Sequence, residues 1–335
     1  LGVPGSAFDV RSSSSLGDVF ADSVINDAAN NAEISRKDAR DSYLAATMTD
    51  SVFGAVDWNW NDKIRVTAGA RWEDYRQVAV PWDPYSFNPS SPQVDLGDTE
   101  SENFNESDFA FQDDKVYPSI ALTYMGDLWA ETFQARLSYS ETTVRPDLRE
   151  ITDSSYTDPV TDILTRGNPG VIPSDVEAID LRFEWYFGNS DNFTITAFKK
   201  DIDRPIAYFF TPASDTTIAR GIDNAVSAEI TGVEVEALKE LSFLGGWGDL
   251  FFVQGNVTVQ DSELVPGDPV TGVGNIDVSC LQTEGTTITE NTCQLPGASD
   301  FVFNLMFGFD SPDSKHTASL VYNMFGERVF SLTRS

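Results

Sequence analysis

Apolar and polar positions alternate with a period of two through most of residues 42–324. Ile64, Val66, Ala68, Ala70 and Trp72 fall on one face of an extended chain, and Arg65, Thr67, Gly69, Arg71 and Glu73 on the other. The same division separates Phe133, Ala135, Leu137 and Tyr139 from Gln134, Arg136, Ser138 and Ser140. It also separates Ile179, Leu181, Phe183, Trp185 and Phe187 from Asp180, Arg182 and Glu184, and returns in Phe301, Phe303, Leu305, Phe307 and Phe309. Successive side chains of a strand point to opposite faces, so this period predicts strands, not helices. About ten are expected, near 42–58, 63–80, 115–125, 132–142, 177–187, 193–200, 229–239, 250–261, 300–310 and 315–324. Many are longer than the roughly five or six residues usual in globular sheets, and match a tilted membrane crossing.

The connections sharpen this. Short links around Asn59–Asp62, Gly126–Glu131, Gly188–Asn192, Ser242–Asp249 and Ser311–Ser314 alternate with long ones. Loops of about thirty residues are uncommon in a compact domain. The rhythm is that of a transmembrane antiparallel up-and-down β-barrel, with short periplasmic turns and long extracellular loops. Alternation alone does not separate such a barrel from a soluble sandwich, whose apolar face is its core. The aromatics do: Trp58, Trp60, Trp129, Trp185, Tyr186, Phe187 and Trp247 sit at or beside the short links, where an interfacial girdle belongs. Scattered core aromatics are the plainer alternative. Residues 1–41 break the rhythm, with Leu16, Val19, Phe20, Val24, Ile25 and Ala28 at helical spacing after Ser12–Ser15. They are expected to be an extracellular loop segment with a short amphipathic helix, or a linker, ahead of a β-barrel portion at 42–335.

Composition then removes function classes. With 53 acids against 22 Lys and Arg, the net charge is −31, which argues against a nucleic-acid partner, since phosphates are neutralised by clustered bases. The acidic runs, such as Asp83 to Asp114, read as solvated surface, with cation binding or steering of a cationic ligand as the sharper alternative. Cys280 and Cys293 lie close together in a Gly-, Thr- and Asn-rich stretch. They are expected to form a local disulfide, which implies an oxidising compartment; a zinc site lacks a nearby His. The one histidine, His316, has no partner for a triad or an HExxH site, and neither a Walker loop nor a GxSxG elbow occurs. No enzyme activity, cofactor or metal site is expected.

Several segments resemble TonB-dependent receptors. The clearest is Ser140-Glu141-Thr142-Thr143-Val144-Arg145-Pro146-Asp147-Leu148-Arg149-Glu150, similar to that family's strand-to-loop signature. It is followed by Gly167-Asn168-Pro169, Asp180–Phe187, Phe198-Lys199-Lys200-Asp201-Ile202 with Arg204-Pro205-Ile206, Glu229–Glu236 and Tyr322–Val329. The resemblance implies the C-terminal part of a barrel of about 22 strands in the outer membrane of a Gram-negative bacterium. The family's plug domain, its energy-coupling box and a final strand ending in an aromatic are not found in this sequence.

The implied activity is energised uptake of a scarce nutrient such as a siderophore or carbohydrate. The implied partners are outer-membrane lipid, a small-molecule or oligosaccharide ligand, and the TonB-ExbB-ExbD complex acting through the plug. Arg65, Arg71, Arg136, Arg182, Glu184, Glu234 and Glu236 are expected to face the lumen. Loop aromatics Trp82, Tyr85, Phe87, Phe104, Phe109, Phe111, Tyr208, Phe209 and Phe210 are the candidate ligand contacts, by ring stacking, with loop-to-loop packing as the bland alternative. A passive porin and a β-rich surface adhesin remain rival readings.

Overall fold

The computed structural model describes residues 43–81, 110–157, 163–188, 190–214, 217–267, 293–313, 315–329 and 332–333. The ten expected strands all form. They are β1 (Tyr43–Trp60), β2 (Ile64–Pro81), β3 (Ala110–Gly126), β4 (Thr132–Val144), β7 (Ser174–Tyr186), β8 (Asn192–Asp203), β11 (Ser227–Glu240), β12 (Phe251–Val265), β13 (Phe301–Asp310) and β14 (Thr317–Phe325). Each pairs antiparallel with its neighbour in chain order, giving one ten-stranded meander with β1 and β14 at its edges. The observed strands mostly extend past the expected ends, because the ladder continues into sequence where the apolar alternation has already faded. Residues 1–42, including the expected helix, lie outside the described residues.

Register carries the two-faced pattern across the whole sheet. Val66 faces Leu122, Leu122 faces Leu137, Leu137 faces Leu181, and the row continues through Ala197, Val233, Val259 and Phe301. A sandwich would bury this face under a second layer. Here it is open: Val52 is 69% exposed and Leu320 72%. An apolar surface of this extent calls for a non-aqueous neighbour. At the short-link end of the same face the rings gather, with Trp58 stacked on Trp60 at 6.3 Å and Trp185 5.3 Å from Phe133 and 5.7 Å from Phe193.

On the polar face two aromatic rings lie over glycines directly opposite them. Phe198 covers Gly232 and Phe252 covers Gly308. A Cβ on Gly308 would fall 2.1–2.7 Å from three Phe252 ring atoms, so the glycine is what lets the ring lie flat against the sheet.

Five short strands were not anticipated. β5 (Ser155–Thr157), β6 (Leu164–Arg166), β9 (Ile206–Ser214), β10 (Thr217–Asn224) and β15 (Leu332–Thr333) form a second sheet in the order β15-β9-β10-β6-β5. The first four lie in connections expected to be loops, and β15 follows the last expected strand. Three of them have only two or three residues, too few to show a period. The buried apolar cluster sits here too, in Ala207, Phe209, Ala225, Ala228, Leu264 and Cys293, with Ile202, Leu295 and Val329 against it.

Candidate functional site

Two constellations emerge from the polar face. The first is a charged ladder in the middle of the sheet. Arg65, Thr123, Arg136, Arg182, Thr196, Glu234 and Thr258 follow one another across seven strands, and Glu184, Thr194, Glu236, Asn256 and Asn304 form the next row. Arg136 and Arg182 are directly opposite, an arrangement that repels unless neutralised. The neighbouring row supplies the countercharge: Arg182 Nε donates to Glu184 Oε1 at 3.0 Å and Arg182 Nη2 to Glu236 Oε2 at 3.0 Å. Arg136 Nη2 is 3.8 Å from Glu184 Oε2. Tyr186 Oη donates to Glu184 Oε1 at 3.0 Å, Asn256 Nδ2 to Glu234 Oε1 at 3.2 Å, and Asn304 Nδ2 to Asn256 Oδ1 at 2.7 Å. Both arginines keep part of their surface open, so these pairs add little stability; they fix where donors and acceptors point. Of the charged residues expected on this face, Arg65, Arg136, Arg182, Glu184, Glu234 and Glu236 all lie in these two rows. Arg65 pairs with Asp57, and Arg71 with Glu73 nearer the long-loop end.

The second constellation knits the long connections to the strand tops, and most of it was invisible as a site in the sequence. Arg145, where the chain leaves β4, reaches across β3 to the buried Glu73 of β2, and its guanidinium lies 4.5 Å from the Tyr75 ring centroid. Tyr75 Oη donates to Gln77 Oε1 at 3.0 Å, and Gln77 Nε2 to the Val171 carbonyl at 2.8 Å. Gly167 is fixed by space: a Cβ there would lie 2.3 Å from the carbonyls of Arg149 and Thr152. Asn168 Oδ1 accepts from Gly170 N–H at 2.9 Å and its Nδ2 donates to the Ile222 carbonyl at 3.2 Å. Asn224 is the central knot. Its Nδ2 donates to the carbonyls of Ile172 and Arg204, both at 2.8 Å, and its Oδ1 accepts from Ile172 N–H at 2.9 Å. Ser174 Oγ donates to the Arg204 carbonyl at 2.8 Å, and Arg204 Nη2 meets Asp175 at 2.6 Å. The segments Arg145-Pro146, Gly167-Asn168-Pro169 and Arg204-Pro205 thus converge here; they were the only sequence signal for it.

The expected ligand aromatics fare differently. Trp82, Tyr85, Phe87, Phe104 and Phe109 lie outside the described residues. Phe111 is in strand β3, not in a loop. Tyr208, Phe209 and Phe210 belong to β9, and Phe209 is only 7% exposed, packed in the buried cluster over Gly221. Phe209 is therefore a packing residue: the β9–β10 hairpin turns it inward. Tyr208 donates its hydroxyl to Glu150, and Arg220 lies 4.8 Å from its ring. Burial, reinforced by that carboxylate, pushes the phenol above its ordinary value. Cys280 lies outside the described residues, and no free cysteine occurs among those described, so the Cys280–Cys293 pairing stands as a proposal. No group of His, Cys, Asp and Glu suited to a metal ion occurs among the described residues.

Solved structures share this fold at low identity. The copper transporter OprC matches with a TM-score of 0.54 and 11% identity, over 85% of this chain and 36% of that one. The ferric-catecholate import receptor Fiu from K12 E. coli matches at 0.51 and 12%, over 85% and 36%. The ferric yersiniabactin uptake receptor FyuA from Yersinia pestis matches at 0.50 and 13%, over 86% and 36%. The chain thus spans about 36% of the length of these structures. Among curated proteins no sequence relative matches. The family model for the β-barrel of TonB-dependent receptor-like proteins, a family of transport receptors, matches residues 4–332. With nearly all of its length accounted for by that model and its ten-stranded meander matching the fold, the chain belongs to the TonB-dependent receptor-like β-barrel family.

Proposed function

We propose that this chain is the barrel portion of a receptor in the outer membrane of a Gram-negative bacterium, taking up a scarce nutrient with energy supplied by the TonB-ExbB-ExbD complex. The observation that carries this reading is the two-faced sheet. One face is continuously apolar and open, fit for lipid; the other bears the Arg136–Arg182–Glu184–Glu236 ladder. On this reading the ladder lines the lumen and meets the plug or the passing ligand. The knitted strand tops around Arg145 and Asn224 hold the extracellular loops in place. The ligand is a metal chelate, a carbohydrate or a molecule of similar size, with no covalent chemistry performed on it.

Energised uptake and passive diffusion part company in one experiment. In cells carrying the intact receptor, accumulation of a candidate ligand is measured with and without an uncoupler of the inner-membrane proton gradient. Uptake that stops while surface binding persists supports the proposal. Uptake that continues unchanged makes the protein a porin, and a protein released from membranes without detergent makes it an adhesin.

A further inference from the structure

Neighbouring strands of the ten-stranded meander stay paired for as long as both remain extended, with one exception. β3 runs on to Ala110 and β4 to Val144, yet their pairing stops at Ser119 opposite Ser140. Beyond that point 110–118 pair only with β2, and 141–144 only with β7. Pro118 stands where the strands part. Proline brings no N–H to a ladder and belongs at a free strand edge. The sheet is thus split between β3 and β4 at its long-loop end.

Side chains close this split. Lys115 Nζ of β3 lies 3.1 Å from Asp175 Oδ2 of β7, and Arg145, leaving β4, reaches back to Glu73 of β2. The base comes from the β3 side in one pair and from the β4 side in the other. Two neutral contacts cross as well, Gln77 Nε2 to the Val171 carbonyl at 2.8 Å and the Tyr117 phenol with the Thr143 hydroxyl. Each crossing carboxylate also holds an arginine of its own side: Arg71 meets Glu73, and Arg204 Nη2 lies 2.6 Å from Asp175. Parting the split strips neither carboxylate of its last countercharge, so part of the penalty for breaking a buried pair is avoided. Arg145 Nε, moreover, is buried with no hydrogen-bond partner. The closed form bears that cost, and hydration on opening removes it.

We infer that the β3–β4 split is a hinge line along which the extracellular end of the barrel wall opens and closes, with Lys115–Asp175 and Arg145–Glu73 as its clasp. The inference rests on the barrel reading above. The tops of β1–β3 move on one side. On the other move the tops of β4, β7, β8, β11 and β12, together with the second sheet that Ser174, Arg204 and Asn224 tie to them. A continuous ladder would join these two groups residue by residue; among the described residues side chains join them here, and each lets go without breaking a strand's own pairing. Opening widens the mouth of the lumen for a ligand arriving from outside, and closing draws the two groups together around it.

The test uses the intact receptor in phosphatidylethanolamine–phosphatidylglycerol bilayers, with pairs of nitroxide labels read by dipolar broadening. D113C with V144C spans the split at two exposed positions outside the clasp, and D113C with T142C serves should V144C fail to fold. T142C with V176C, directly opposite on the continuous β4–β7 ladder, is the control. The expected spectra at the split contain a closely coupled and a separated population. K115Q combined with R145Q raises the separated one several-fold, while the control stays in one coupled population. A single population at the split, or two whose balance K115Q and R145Q leave unchanged, overturns the hinge. Two populations in the control as well mean that the strand tops fray together, which also overturns it. A label at Leu137 (L137C), on the apolar face, is read in the same bilayers for collision with oxygen, which partitions into lipid, and with a nickel chelate, which stays in water. Nickel contact there overturns the barrel reading, and with it the hinge's place at a lumen mouth; oxygen contact leaves the barrel standing whatever the split shows.

Discussion

The sharpest test of the sheet's packing is Gly308→Ala. In a strand, glycine is ordinarily worse than alanine by about 0.5–1 kcal/mol, so a site with free space would gain stability from the change. At Gly308 the added Cβ would fall 2.1, 2.3 and 2.7 Å from Phe252 ring atoms. The ring must swing off the sheet, losing part of the roughly 1.5–3 kcal/mol that burial of an aromatic ring is worth. Overpacking costs of about 1–3 kcal/mol bracket the same effect, so a net loss of about 1–2 kcal/mol is expected. The assay is denaturant unfolding of the intact receptor in detergent or lipid, followed by tryptophan emission, for G308A, F252A and the double variant. If the ring rests on the glycine, G308A costs little once Phe252 is gone, and the cycle shows a coupling of about 1 kcal/mol or more. A stabilising G308A, or two single effects that simply add, would refute the reasoning.

Three further outcomes follow from the strand tops and turns. Arg145→Ala removes one of two arginines from the buried Glu73, with Arg71 remaining. A local loss of about 2–3 kcal/mol is expected, read as faster amide exchange over 163–175, and unchanged exchange there would disprove the Arg145 staple. Asn224→Leu deletes three hydrogen bonds to Ile172 and Arg204, each worth about 1 kcal/mol; protease should then cut the 145–173 and 204–226 connections sooner while the meander stays intact. For pH, burial works against ionisation of Asp191 in the β7–β8 turn. Lys239 and the Glu240 N–H at 2.7 Å outweigh it, holding the carboxyl below its ordinary 3.8. A lowered folded-state value stabilises fully above 3.8 and is lost as pH falls through it. Wild type should therefore lose more stability than D191N on acidification below about pH 4, and parallel acid profiles would contradict this.

Much of the sheet was legible because period-two alternation is local information: it survives in the sequence wherever one face meets an apolar medium and the other water. The ten strands and their short and long links follow from it, and so does the common face of Arg136, Arg182, Glu184, Glu234 and Glu236. The β9–β10 hairpin was not read, although Ile206–Phe210 followed by Ser214 and Asp215 carries an apolar run and a turn signal. The rhythm of long loops concealed it. For the same reason Phe209 passed for an exposed loop aromatic, whereas the fold buries it.

What the sequence determined by itself is the architecture: strand count, two-sided sheet, order of links, and a family resemblance that the motifs carried. What only the tertiary structure decided is contact between segments far apart in the chain. Arg145 meeting Glu73, Asn224 joining Ile172 to Arg204, and Phe252 lying over Gly308 each depend on strand register and on how connections fold back over the sheet. Register is set by the whole ladder, and no local window of sequence contains it.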